Sequence, residues 1–338
     1  MTKWYEKSGT DGDVVISTRI RLARNVNHVP FPAAMTSEQK EDIINKVFAA
    51  FPDENGAFSC VRMETVSPRE ALSMVERHLI SPDFANGAGE TGKALLLSPD
   101  ESVSIMVGEE DHLRIQVMRA GLDFDSIYEE ANCWDDFLDS RLHFAFDDRL
   151  GYLTQCPTNL GTGMRASVML HLPALQEHGI IQQLANTVSK LGLTIRGMYG
   201  EGSRSEGALY QLSNQVTLGL TEQEAIENLK SIAGQIIKEE RQYREKMRSL
   251  PAFEDRVFRA LGVLQNARLL SGKEFMSLVS QVRMGIALGM IPNGNLDRIN
   301  RLIIEAQAAN ILCRAEQDLD AAARDSHRAA FVRDNIIC

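Results

Sequence analysis

The character of the chain changes at Pro251, and that break limits what it can fold into. Before it, short apolar or alternating runs separated by turn residues read as strands; after it only helical periodicity remains. At 338 residues the chain also approaches the size at which single cores stop growing, roughly 250–300 residues. We therefore read a first domain over residues 1–250 and a second over 251–338.

In the first domain, Leu95–Leu97, Val103–Val107 and Leu113–Met118 predict strands whose short links force antiparallel pairing. Further strands are predicted at Gly151–Thr154, Ala166–Leu172 and Leu193–Gly197. Thr36–Phe51, the capped Ser67-Pro68-Arg69-Glu70 start and Phe124–Leu142 predict helices, and the Thr221–Glu224 capping box opens a long one. The expectation is an α+β domain, an antiparallel sheet flanked by helices. In the second, Val257–Leu270, Gly272–Leu288 and one long stretch from Leu296 to Arg333 predict a small all-α domain. It is marginal alone, so it must pack on the first domain, on a second copy, or on both. Leu278, Val282, Ile286, Ile299, Leu302 and Ile303 are the apolar positions expected at a dimer interface.

A net charge of −10 opposes general nucleic-acid binding, which needs a basic face. No apolar run reaches the roughly 20 residues that span a bilayer. The N-terminus lacks a signal-peptide pattern, so the expected location is cytoplasmic. Cys60, Cys133, Cys156, Cys313 and Cys338 form no C-x-x-C pair, which argues against a disulfide framework and a zinc site.

Four segments carry charge in unusual patterns. Ser17–Asn25 holds Arg19 and Arg21 at i and i+2, where an extended chain points both the same way, and two guanidinium forks clamp phosphate oxygens well. Gly108–Arg114 packs Glu109, Glu110 and Asp111 before Arg114; Cys156–Arg165 runs Cys-Pro-Thr-Asn-Leu-Gly-Thr-Gly-Met-Arg; and Arg196–Gly207 is rich in glycine with charges of both signs. Taken singly, a solvated basic strand, an acidic hairpin and ordinary turns explain them as simply.

Together and in this order they resemble the catalytic domain of the phosphagen (ATP:guanido) kinases, whose signature string is Cys156-Pro157-Thr158-Asn159-Leu160-Gly161-Thr162. The resemblance covers residues 14–245. The helical domain that phosphagen kinases place before the arginine motif is missing, and the helical C-terminal part is present, an arrangement similar to the bacterial protein arginine kinases. The resemblance implies a glutamine-synthetase-like catalytic fold, with Arg19, Arg21, Arg114, Arg165 and Arg196 on the phosphates of ATP and Glu110 and Glu201 as catalytic carboxylates. It makes Cys156 the reactive thiol beside the acceptor guanidinium. Mg²⁺ is implied between the phosphates, with no protein cage of its own. The family commonly has asparagine where Gly108 stands, which implies a looser turn before Glu110.

In the C-terminal part, Arg324-Asp325-Ser326-His327-Arg328-Ala329 matches the family motif that reads phosphoarginine, with Arg324 and Arg328 on one helical face and Asp325 toward the guanidino nitrogens. The implied partners are arginine-bearing protein substrates, an activator protein, a heat-shock repressor and a Clp-type protease, with the chain a homodimer. Two rivals are a kinase for a free guanidino compound and a silent phosphoarginine-binding adaptor. The missing N-terminal domain opposes the first, and the full set of arginines and glutamates opposes the second.

Overall fold

Alternation along the strands builds a sheet with one apolar and one polar face. The computed structural model describes residues 1–51, 58–197 and 205–336. Its strands are β1 (Val15–Arg24), β2 (Ser59–Arg62), β3 (Ala94–Leu97), β4 (Val103–Val107), β5 (Leu113–Ala120), β6 (Phe146–Asp147), β7 (Gly151–Tyr152), β8 (Met164–His171), β9 (Leu193–Gly197) and β10 (Leu209–Asn214). Among the described residues, eight form one sheet in the order β2-β3-β4-β5-β1-β8-β10-β9, antiparallel throughout, with β6-β7 a separate hairpin.

Around the sheet lie α1 (Ser37–Ala50), α2 (Pro68–Glu76), α3 (Pro82–Ala85), α4 (Phe124–Leu142), α5 (Pro173–Glu177), α6 (Ile181–Ser189) and α7 (Glu222–Arg248). Capping boxes at Ser67 and Thr221 start α2 and α7 as expected, and a further one at Thr36 starts α1. The even-numbered residues of β1, Ile20 and Leu22, join Ile115, Val117, Ala166 and Val168 on the apolar face. Apolar residues of α1, α4 and α7 complete that core.

The chain beyond Pro251 forms a module of α8 (Pro251–Asn266), α9 (Gly272–Ala287), α10 (Leu296–Glu305), α11 (Ala308–Ala315) and α12 (Ala321–Asn335). The single helix expected from Leu296 to Arg333 is thus three. Glu316 turns left-handed at the end of α11, and the Asp320 side chain caps α12. The expected dimer face is also corrected. Val282, Ile299, Leu302 and Ile303 are at most 3% exposed and fill the module's own core, with Leu278 and Ile286 packed against it. That core reaches into the sheet through Ile16, Met169 and Leu209, so the module packs on the first domain.

Buried charge ties the two parts together. Arg283 of α9 is fully buried and donates to Gly12 O at 2.6 Å, Asp13 O at 2.7 Å and Asn300 Oδ1 at 3.2 Å. Arg244 of α7 donates to Glu240 at 2.7 Å and to His171 O at 2.7 Å. His171, closing β8, meets Ser280 Oγ through Nε2 at 2.7 Å, and its Nδ1 faces both guanidiniums. Burial, with Arg283 and Arg244 beside it, holds the His171 imidazole well below its usual 6.5.

The unfolded chain therefore binds the proton that the folded chain refuses. The stabilisation is complete above the unfolded value of 6.5 and declines as pH falls below it, by up to ~1.4 kcal/mol per pH unit for this residue. Denaturant midpoints measured from pH 7.5 to 5 are expected to fall, and His171→Gln to flatten the slope by that one-proton share. An unchanged slope contradicts the account.

Candidate functional site

The register places the expected arginines without further assumption. Arg19 and Arg21 share a face of β1 with Ala23; Arg21 stands opposite Arg165 of β8, and Ala23 opposite Arg114 of β5. On β9, Arg196 pairs with Gln211, which pairs with Met169 of β8, itself opposite Ser17. All five guanidiniums thus rise from the polar face, among Gln116, Ser167 and Gln211. Among the described residues, that face is covered at its margins. At one side α2 and α3 pack over Leu95 and Met106. At the other the module packs over Met169 and Leu209, and Trp4, Tyr5 and Ile304 close over Met118.

Among the described residues, no carboxylate pairs with Arg19 or Arg21. Arg19 donates to Gln211 Oε1 at 2.8 Å and to Ser167 Oγ at 3.5 Å, both neutral partners. The buried Arg21 Nε has no hydrogen-bond partner among the described residues. Burial, then Arg114, pulls Arg19 down to about 10, and burial with Arg19, Arg114 and Arg165 pulls Arg21 well below the usual arginine range. A guanidinium does not release its proton at physiological pH, so the strain calls for an anion of several charges on this face.

Arg114 is the exception. Its Nη1 donates to Glu109 Oε1 at 2.8 Å, and Ser81 Oγ donates to the same carboxylate. Glu110, half exposed, stands 3.7 Å from Arg114. The turn carrying these acids is tight, correcting the looser turn expected from Gly108. The Gly108 N–H donates to His112 O at 2.9 Å, and its φ of +78° admits no side chain, since a Cβ there would lie 2.5 Å from Gly92 O.

Asn25 and Asp111 tie three of the charged segments together. Asn25 Nδ2 donates to Asp111 Oδ1 at 2.7 Å, Asn25 Oδ1 accepts the His112 N–H at 2.9 Å, and Asp111 Oδ1 also takes the Gln155 N–H at 2.7 Å. The acidic turn is thereby fixed next to Cys156. Cys156 Sγ shares a hydrogen bond of 3.1 Å with Thr158 Oγ1, which also accepts from Arg165 at 3.3 Å. Asn159 takes Arg165 Nε at 3.1 Å, and Thr217 Oγ1 pins the loop by donating to the carbonyls of Thr158 and Leu160. Burial lowers Arg165, with Arg114 and Arg196 pushing the same way and Cys156 and Glu110 opposing. Glu110, Cys156 and Arg165 therefore share one local field. Glu201 lies outside the described residues.

The sequence reading passed over three residues. Asn25 and Asp111 sat inside segments already singled out, as polar residues at the end of a strand and in a charged turn. His78 carried no such signal. It follows α2 with φ +63° and lines a recess with Ser17, Arg19, Met118, Ser167, Met169 and Gln211, at the closed end of the arginine row. Burial, then Arg19, pushes its imidazole down to about 3, so it is neutral at physiological pH.

On α12, Arg328 is 2% exposed. It donates to Ala306 O at 2.8 Å, Leu270 O at 2.9 Å and Asp325 Oδ1 at 2.6 Å. Arg324 keeps a buried Nε with no hydrogen-bond partner among the described residues. The two arginines of the motif are thus unequal: Arg328 holds the corner between α10 and α11, while the Arg324 Nε has no such partner among the described residues.

The chain matches the family model described as ATP:guanido phosphotransferase, C-terminal catalytic domain, over residues 39–243, and the model described as Protein-arginine kinase McsB C-terminal domain over residues 251–337. A protein-arginine kinase of Caldanaerobacter subterraneus subsp. tengcongensis is 46% identical over 328 residues, 95% of this chain and 96% of that protein. One of Moorella thermoacetica is 43% identical over 340 residues, 98% and 97%. Among solved structures, the duplicated taurocyamine kinase of Schistosoma mansoni with bound transition-state-analogue components superposes with a TM-score of 0.61 at 29% identity. The match covers 73% of this chain and 37% of that one. Lombricine kinase superposes with a TM-score of 0.60 at 23% identity over 69% and 68%, a likeness of fold.

Removing one charge from the cluster relieves repulsion in the empty site. Arg21→Met is expected to raise stability without nucleotide by about 1 kcal/mol, the usual gain when a functional strain is released. Denaturant midpoints in low salt measure it, and a loss of stability on this substitution contradicts the strain assigned to Arg21.

Proposed function

The chain belongs to the ATP:guanido phosphotransferase family, among its protein-arginine kinases, and from that premise we propose that it transfers the γ-phosphoryl group of ATP to arginine side chains of proteins. The observation that carries the proposal is the row of five guanidiniums on one sheet face, Arg19 and Arg21 having no carboxylate partner among the described residues, with a carboxylate and a thiol at its open end. Residues 1–250 act as the catalytic domain and 251–338 as a regulatory one.

ATP presents about four negative charges, and phosphoryl transfer is helped chiefly by positioning and by charge around the equatorial oxygens. Arg19, Arg21, Arg114, Arg165 and Arg196 supply that charge without rearrangement. Glu109 aims Arg114 by holding its Nη1. The recess at the other end, with Met118, Met169 and a neutral His78, is assigned to the uncharged base of ATP. Mg²⁺ would be held through phosphate oxygens and water rather than by a protein cage, and would screen phosphate charge.

At the open end, Glu110 holds the acceptor guanidinium by its N–H edges, and Glu201 acts as the family's second carboxylate. One guanidino nitrogen attacks the γ-phosphorus, the bond to the ADP oxygen breaks, and the proton lost from nitrogen passes to a carboxylate. Cys156, hydrogen-bonded to Thr158 beside Arg165, orients the acceptor. On α12, Arg324 receives the phosphoryl group of phosphoarginine, and Asp325 and Arg328 complete the pocket. Within this proposal the chain works as a cytoplasmic homodimer in the stress response. An activator protein assists it, a heat-shock repressor is among its targets, and a Clp-type protease consumes the marked proteins.

Incubation with Mg-ATP and an unfolded arginine-rich protein is expected to give acid-labile phosphate on arginine. Glu110→Gln is expected to lower kcat by two to four powers of ten, roughly the scale of orienting and acid–base groups, with folding unchanged. Wild-type turnover in that variant removes the carboxylate mechanism. For α12, titration calorimetry with free phosphoarginine is expected to show binding to wild type and none to Arg324→Ala, with basal transfer retained. Equal binding in both removes the pocket.

A further inference from the structure

Glu76 ends α2, where the exposed carbonyls of a helix disfavour a carboxylate. It stands there because another helix needs it. Glu76 Oε1 accepts the Ala309 N–H and Oε2 the Asn310 N–H, each at 2.8 Å. These amides belong to the first turn of α11, whose own N-cap residue, Gln307, contributes no side-chain cap. The catalytic domain thus supplies the cap that the module's helix lacks. The joint is reinforced by Ser73 Oγ, which donates to Asn310 Oδ1 at 2.6 Å.

The two residues that follow are anchored elsewhere. Arg77 pairs with Glu101 in the link between β3 and β4, a carboxylate that also takes Lys3 Nζ at 2.9 Å. His78 adopts its left-handed turn with its N–H donating to Val75 O at 2.9 Å. Its carbonyl accepts Gln116 Nε2 at 2.8 Å, and Gln116 is the residue opposite Arg21 on the polar face. Three consecutive residues therefore join the module, the sheet edge and the nucleotide recess within a span of at most about 10 Å. A left-handed conformation is costly for a residue other than glycine, and it persists here because both sides of the turn are held.

We infer that Glu76 is a positioning residue for the nucleotide: by seating α11 on the end of α2 it fixes His78 in the recess beside Arg19. The inference rests on the assignment of that recess to the base of ATP. It also makes the module part of the nucleotide site without contributing a side chain to it. A displacement of α11 reaches the recess through a segment too short to absorb it. Arg328, which donates to Ala306 O two residues before α11 begins, stands at the far side of the same joint.

The test uses the full chain and separates affinity from chemistry. In Glu76→Ala, KM for ATP and the calorimetric Kd for ATP are expected to rise roughly tenfold, the scale of one or two charge-assisted hydrogen bonds. Turnover at saturating ATP stays within about twofold, since no group touching the reacting atoms is altered. Glu76→Gln keeps one acceptor oxygen and recovers part of the affinity, and it decides the matter alone if Glu76→Ala fails to fold. Asp318→Ala breaks the exposed Arg69–Asp318 contact, the other ionic link from α2 to the module, and leaves affinity unchanged.

Wild-type ATP affinity in both Glu76 variants overturns the inference. So does an equal loss in Asp318→Ala, which marks general docking of α2, or a fall in kcat at constant KM. His78→Ala distinguishes the premise. If it leaves ATP affinity intact, the recess does not take the base; if it weakens ATP while the Glu76 variants do not, only the role of Glu76 is lost.

Discussion

Five guanidiniums on one face of one sheet are the constraint around which this structure is arranged. Directly opposed residues on antiparallel strands have side chains roughly 5 Å apart, and two unit charges at that separation repel by about 3 kcal/mol at an effective dielectric constant of about 20. Burial of a Leu or Ile side chain contributes roughly 1.5–3 kcal/mol, so one or two such residues offset each close pair. The apolar face provides them: Ile20, Leu22, Ile115 and Ala166 lie one step along the strands from the arginines they support. The polar face is kept only because the other face is fully covered by helices.

The margins of the polar face decide the shape of the cleft. Leu95 and Met106 draw α2 and α3 over one side, and Met169 and Leu209 draw the module over the other. The module's core is continuous with sheet residues, and Arg283 carries a second, polar bond to the same place by reaching Gly12 and Asp13 just before β1. Removing one partner from such a buried set leaves charge or dipole uncompensated, which costs more than the intact set contributes. The module and the catalytic sheet are therefore a single mechanical body at His171, even though the sequence divides them at Pro251.

Much of this was legible in the sequence, for reasons that can be named. The i, i+2 spacing of Arg19 and Arg21 fixes their common face once the segment is extended. Ser67 and Thr221 announce helices because capping is a local interaction. What was not legible depends on the third dimension. Strand β10 was missed because Gln211 and Ser213 face the polar cleft, so its alternation reads as a polar loop after a glycine-rich one. The stretch from Leu296 to Arg333 looked continuous because Ala306, Gln307 and Ala308 are good helix formers, and nothing local signals the corner that Arg328 and Glu76 stabilise. The apolar positions assigned to a dimer face have the right period, but period does not say which surface they meet. His78 is a lone histidine whose neighbours come from four other segments.

The cleft is also unequal end to end, and the inequality bears on what the proposed reaction accepts. At the Ser17 end, Trp4, Tyr5, Ile304 and the turn at His78 close over Met118 and Met169. At the other end stand Arg114, Arg165, Glu110 and Cys156, held by the Asn25–Asp111 bridge, and among the described residues no helix packs over them. A nucleotide whose base occupies the closed end directs its terminal phosphate toward the open one. An acceptor must then come from solvent, in line with the breaking bond. A free amino acid gains little from an open wall, because its small surface leaves most of the cost of immobilisation unmet. An arginine carried on a polypeptide brings flanking residues that can lie along the rim. The openness that weakens selection of a free guanidino compound thus admits a protein-borne one, and charge rather than enclosure selects the reacting group.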